Sequence, residues 1–160
     1  MIYLDANILY ASVANVKDQT DSVARLLARQ ELLQVSSLAD YEARKALLTQ
    51  GGTADHLALL DSLLAARFKL NTGWDAAISQ ALKVARQFKQ RLWVDSADTL
   101  HVGWALALGA ETFASFDRAS GPRALALCLG LKLWPEPAPM DYEQLNPNSD
   151  MNRRLRGWRG

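Results

Sequence analysis

Met1-Ile2-Tyr3-Leu4-Asp5-Ala6-Asn7-Ile8-Leu9 sets the pattern that the rest of the chain follows. A short apolar run stopped by an acid reads as a buried strand. Helical character then takes over from Ala6 to Val13. The same alternation recurs downstream. Leu32 to Val35 is a second strand, and Ser36-Ser37 can cap a helix running from Leu38 to about Gln50. Gly51-Gly52 ends that helix, and Thr53 caps another, with Leu57, Leu60 and Leu64 on one face. Phe68 to Asn71 is a third strand. A helix follows over Ala76 to Gln90, with Asp75 as its expected N-cap. Thr20 to Gln30 is helical before the second strand, with Asp18 and Asp21 near its start.

Ser96 to Leu108 is a helix apolar nearly all round, hence buried. Glu111 to Ser115 is strand-like. Arg118 to Leu129 is helical after its Ser-Gly-Pro opening, and Leu131 to Trp134 is a last strand. Strands separated by helices pair in parallel through right-handed crossovers. The expected fold is therefore α/β: a three-layer α/β/α sandwich around a mainly parallel sheet of about five strands. One domain is expected over residues 1–134. Pro135, Pro137 and Pro139 forbid regular structure, and residues 135–160 read as a Pro/Asn-rich, then Arg-rich tail.

Composition removes several classes of function. With 160 residues, 49% hydrophobic and 22% charged, the chain can bury a sizeable core and is not globally disordered. Its longest apolar stretch, Leu100 to Ala110, is about half the ~20 residues of a membrane span. The first residues carry no basic segment of a secretory signal, and one cysteine, Cys128, allows no internal disulfide; a cytoplasmic location is the expectation. Cys128 lies in an apolar run and is expected to be buried. His56 and His101 are the only histidines, so any metal has to be a hard cation held chiefly by carboxylates. The formal net charge is +1, yet residues 148–160 hold four arginines against one aspartate, a local charge of +3. Such a tail can touch nucleic acid or a partner, or simply be solvated.

The acids are placed by topology. Asp5 follows the first strand and Asp117 the fourth, and in an open parallel sheet the carboxyl ends of the strands form one ligand-binding edge. Asp98, in the first turn of its helix, and Glu42, one turn into the helix after the second strand, belong near that edge. Each also admits a structural role. Asp5 could cap a helix, Asp98 could favour a helix start beside Asp95, Glu42 could pair with Lys45, and Asp117 could form a turn. Four bare carboxylates in one cleft would repel, which makes sense where a divalent cation is bound.

These segments resemble a PIN-domain ribonuclease, and most of all a toxin of the VapC type. The resemblance is carried by Tyr3-Leu4-Asp5-Ala6-Asn7-Ile8-Leu9, by Glu42 within Ser37 to Glu42, by Asp98-Thr99-Leu100-His101-Val102, and by Thr112-Phe113-Ala114-Ser115-Phe116-Asp117. It covers about residues 1–134. It implies that Asp5, Glu42, Asp98 and Asp117 hold Mg²⁺ or Mn²⁺, with Asn7 and Ser115 supporting them, for hydrolysis of RNA phosphodiesters by activated water. It further implies a cognate antitoxin that inserts into the acidic cleft, and a homodimer. Two alternatives to a toxin are an RNA-processing PIN nuclease and a catalytically idle PIN fold that binds RNA or protein. A flavodoxin- or receiver-like module is a rival on fold alone, and the chain lacks a Gly-rich phosphate loop.

Other residues are assigned lesser roles. His101 reads as a core or helix-facing histidine rather than a ligand or base. Asp95 reads as an N-cap, and Asp40 lies off the helical face of Glu42. Arg44, Lys45, Arg91, Arg118 and Arg123 are candidates for a phosphate track. Trp74, Trp93, Trp104 and Trp134 are expected in the core, and Trp158 could stack on a base or anchor a partner. The tail is expected to be dispensable for metal binding.

Overall fold

A computed structural model describes residues 1–88, 94–117 and 121–136. The strands are β1 (Ile2–Leu4), β2 (Leu33–Ser36), β3 (Phe68–Asn71), β4 (Thr112–Ala114) and β5 (Lys132–Trp134). The helices are α1 (Ala6–Ala14), α2 (Thr20–Leu27), α3 (Ser37–Thr49), α4 (Ala54–Ala66), α5 (Trp74–Phe88), α6 (Ser96–Ala107) and α7 (Pro122–Cys128). The sheet order is β3-β2-β1-β4-β5, with every pairing parallel.

Alternation along β1 builds the two outer layers. Ile2 and Leu4 face one core with Leu33, Val35, Ile8, Leu9, Leu47 and Leu60, which brings α1, α3 and α4 to that side. Tyr3 faces the other core with Phe113, Leu133, Val84, Val102, Trp104 and Leu125, on the side of α5, α6 and α7. Each fully buried large apolar side chain contributes roughly 1.5–3 kcal/mol, so both faces of a three-residue strand are strongly specified. α6 packs closely on α5 through Gly103, where an added Cβ would lie 2.6 Å from the Ala77 carbonyl oxygen.

The order of the strands matters for the site. From β1 the chain steps outward to β2 and β3, then returns to the other side of β1 for β4 and β5. The carboxyl ends of β1 and β4 therefore flank the point where the winding reverses, and a crevice opens there. Leu4 pairs with Ala114, and the Asp5 amide donates to the Ala114 carbonyl at 2.9 Å. Asp5 and the Ser115–Asp117 segment thus leave the sheet side by side.

Several expectations are corrected. Asp75 lies inside the first turn of α5, because that helix starts at Trp74, directly after Gly73. α7 follows its Ser-Gly-Pro opening as expected, starting at Pro122, whose fixed φ suits a first helical turn. Cys128 is exposed at the end of α7 instead of buried. Trp104 is buried as expected, but Trp74 is 40% exposed and forms a stripe on α5 with the exposed Ile78 and Leu82. Trp93, Arg91, Arg118, Trp158 and the tail beyond Glu136 lie outside the described residues. Among the described residues, no helix is long and apolar enough to cross a membrane.

Candidate active site

Asp5 is delivered by the end of β1 and is almost fully buried. It is also the N-cap of α1, its Oδ1 accepting from the Ala6 amide at 2.7 Å. The capping role and the cleft role coincide in one carboxylate, since a helix N-terminus stabilises negative charge where the sheet ends. Asn7 Nδ2 donates to Asp5 Oδ2 at 3.2 Å and to Ser115 Oγ at 3.0 Å. Asn7 Oδ1 accepts from the Phe116 amide, and Ser115 Oγ accepts from the Asp117 amide at 3.0 Å. Asn7 and Ser115 therefore splice the start of α1 to the turn that carries Asp117.

Glu42 reaches the same place from α3. Ser36 caps that helix, accepting from the Ala39 amide, so the chain turns sharply from β2 into α3. Glu42 has no ion pair with Lys45; its Oε2 lies 2.7 Å from His101 Nε2. Asp98 sits in the first turn of α6, where the Asp95 side chain accepts from the Asp98 amide and caps the helix. Asp5, Glu42, Asp98 and Asp117 all line one cleft of about 300 Å³, together with Asn7 and His101.

Electrostatics mark the cleft. Loss of water around Asp98, together with Asp95, Asp117 and Asp5 nearby, pushes its carboxyl up to about 7. Asp117 is the most exposed of the four acids, yet the cleft walls strip enough water from it that, with Asp5 beside it, its carboxyl is pushed up to about 6. Crowded carboxylates with raised proton affinity are what a divalent cation relieves. Ligand-bearing atoms of Asp5, Glu42 and His101 lie within 4.8 Å of one another, so an ion bridging them is sterically feasible. The oxygen-rich donor set fits Mg²⁺ or Mn²⁺.

His101 is the residue that sequence reasoning placed incompletely. It is 2% exposed and hydrogen-bonded, as a core histidine should be, but its ring also faces the acids, with Nε2 3.5 Å from Asp5 Oδ1. Its Nδ1 lies 2.8 Å from the Tyr3 hydroxyl, which lies 2.7 Å from Ser36 Oγ. Burial lowers the imidazole pKa, but Asp5 and Glu42 outweigh burial and raise it overall. The usable signal was spacing: His101 follows Asp98 by three residues and shares its helical face.

Two of the phosphate-track candidates are engaged elsewhere in the fold. Arg123 is buried and donates to the carbonyls of Ser115, Trp134 and Pro135, stapling the ends of β4 and β5. Arg44 is paired with Asp40 and Asp61. Lys45 is exposed on α3.

Comparison with known proteins adds the family. No curated protein matches the chain closely in sequence. Solved structures with a similar fold include the Mycobacterium tuberculosis toxin VapC20, described as sarcin–ricin loop cleaving. It is 15% identical over 73% of this chain and 90% of its own, with a TM-score of 0.60. VapBC2 from Rickettsia felis, solved with a DNA fragment from its promoter, is 20% identical over 83% of this chain and 97% of its own, at 0.64. FitAcB from Neisseria gonorrhoeae is 17% identical over 83% and 96%, at 0.55. At these identities the likeness is one of fold. The model of the PIN domain matches residues 2–120, and the chain belongs to the PIN domain family.

Proposed function

We propose that this protein is a divalent-metal-dependent endoribonuclease and the toxin of a toxin–antitoxin pair. One observation carries the nuclease reading: four carboxylates from four separate segments line the crevice at the β1/β4 reversal, two of them with strongly raised proton affinity. Asp5, Glu42, Asp98 and Asp117 are the residues that would hold Mg²⁺ or Mn²⁺. Bound there, the metal would supply Lewis-acid activation of water and charge neutralisation on a phosphodiester. Asp5 and Asp98 would be the principal ligands, and Asn7 and Ser115 fix the orientation of Asp5 and of the Asp117 turn. The four acids leave no need for a covalent nucleophile, and among the described residues no Ser-His-Asp arrangement lines the cleft.

RNA as substrate and toxicity as outcome draw on the family and on neighbours such as VapC20. A cognate antitoxin is the inferred protein partner, placing a basic side chain in the acidic cleft. A homodimer is inferred from the exposed apolar stripe Trp74, Ile78 and Leu82, three residues at four-residue spacing on α5.

The test is Mn²⁺ titration followed by thermal melting of wild type and Asp98→Asn, then RNA cleavage by wild type and Asp5→Asn. Mn²⁺ should raise the wild-type melting temperature and leave Asp98→Asn nearly unmoved, while Asp5→Asn abolishes cleavage. Equal responses to Mn²⁺, or cleavage unchanged in Asp5→Asn, would sink the assignment.

A further inference from the structure

Tyr3, Ser36 and His101 form a buried line of side chains that ends on Glu42. Tyr3 comes from β1, Ser36 from the end of β2 and His101 from α6, so with Glu42 on α3 the line joins the sheet to the helices on both of its faces. Ser36 and Tyr3 are fully buried. The direction of the hydrogen bonds can be counted from one end. Ser36 Oγ already accepts from the Ala39 amide, and the neighbour placed to receive its hydrogen is the Tyr3 oxygen. Tyr3 therefore spends its own hydrogen on His101 Nδ1. Reversing the line would strand the Ser36 hydroxyl hydrogen in the interior, where an unmade hydrogen bond is costly. With Nδ1 as acceptor, the ring proton sits on Nε2 and points at Glu42 Oε2, 2.7 Å away.

We propose that His101 is a positioning residue, held by Tyr3 and Ser36 as the Nε2–H tautomer, which donates to Glu42 and fixes that carboxylate in the cleft without itself ligating metal. The proposal rests on reading the cleft as a metal site. A nitrogen that carries a proton has no lone pair for a cation. Of the three donors that lie within 4.8 Å of one another, only the carboxylates of Asp5 and Glu42 are then available to an ion. An all-oxygen set selects hard cations, whereas a free imidazole nitrogen would add affinity for Zn²⁺ or Ni²⁺. The Tyr3–Ser36 pair thus acts on metal choice from beneath the sheet edge, by deciding which ring nitrogen keeps the proton.

The chain has two histidines, so a long-range ¹H–¹⁵N spectrum of labelled full-length protein reads the tautomer directly. His56→Gln assigns the two rings, and Gln suits the capping-box position that His56 occupies on α4. At mildly alkaline pH, with and without saturating Mg²⁺, His101 should show a protonated Nε2 and an unprotonated Nδ1. Tyr3→Phe should blur that preference into a tautomer mixture. In Mg²⁺ titrations read by thermal melting, His101→Ala should weaken the midpoint about 10-fold or more, while His101→Gln, which keeps an N–H donor within reach, should stay closer to wild type. Loss of the Nε2 proton on adding Mg²⁺ would make His101 a ligand and overturn the proposal, as would a doubly protonated ring or the Nδ1–H form. A wild-type melting curve indifferent to both Mg²⁺ and Mn²⁺ overturns the metal-site reading instead, and the two results come from separate measurements.

Discussion

The side-chain amide of Asn7 donates to Ser115 Oγ at 3.0 Å, joining residues 108 positions apart across the reversal point of the sheet. The same nitrogen donates to Asp5, the Asn7 oxygen takes the Phe116 amide, and Ser115 Oγ takes the Asp117 amide. Asn7 therefore needs a donor and an acceptor on one short side chain, and only Asn provides both at that reach.

Asn7→Asp replaces the donor with a second carboxylate facing Asp5. The variant should melt lower than wild type without metal, by roughly 1–3 kcal/mol for the lost and repelling contacts. Part of that loss should return on adding Mn²⁺. Melting curves with and without Mn²⁺ check this; a variant as stable as wild type without metal would show that the splice contributes nothing.

Metal-free stability should fall as pH rises through the range of the cleft acids. The Asp98 carboxyl is pushed up to about 7 and that of Asp117 to about 6, so their protonated forms suit the folded state better than the unfolded one. Their contribution is complete below the ordinary value of 3.8 and is lost on passing upward through those values. Saturating Mn²⁺ should flatten or reverse the slope, because binding requires deprotonated ligands. Melting temperature measured from about pH 5.5 to about pH 8, with and without Mn²⁺, gives both slopes. A metal-free slope of the opposite sign would contradict the crowding of the acids.

Arg123→Met should destabilise the protein by on the order of 2 kcal/mol or more, since three carbonyls at the ends of β4 and β5 lose a charged donor. Because one of them belongs to Ser115, the Asp117 turn should loosen as well. Hydrogen exchange at the Phe116 and Asp117 amides would report it. Protection equal to wild type would restrict the role of Arg123 to β5.

Gly103→Ala should be more damaging than a surface substitution. Its Cβ would meet the backbone of α5 at 2.6 Å from the Ala77 oxygen and 2.9 Å from the Ala81 nitrogen. Backbone cannot swing away, so overpacking should cost about 1–3 kcal/mol and shift α6, which carries both Asp98 and His101. Denaturant melts measure the first effect, and a weaker Mn²⁺ midpoint in the folded variant measures the second.

Much of the fold was legible because its elements are locally marked. Thr53 does cap α4 and Asp95 does cap α6, each through its own side chain within three residues. The alternation Ile2, Tyr3, Leu4 and the apolar character of α6 specify which surfaces are buried, and that is enough to imply parallel strands between helices. The strand-end positions of Asp5 and Asp117 follow from the same pattern, as do their places on one edge. What local pattern could not carry was partner choice between distant side chains. Tyr3 reads as an apolar strand residue, Ser36 as a cap and His101 as part of a buried helix. Each of those roles is present, and the contact among the three exists only because β1, the start of α3 and α6 converge. Arg123 reads in sequence as a phosphate-track candidate; its place as a buried staple depends on which carbonyls the fold leaves without donors. Hydrophobic period and capping are encoded over a few residues. The direction of a hydrogen-bond line, the crowding of Asp98 and Asp117, and the exposure of Cys128 arise from segments about a hundred residues apart or from how one helix end meets solvent, and they are set when the layers close.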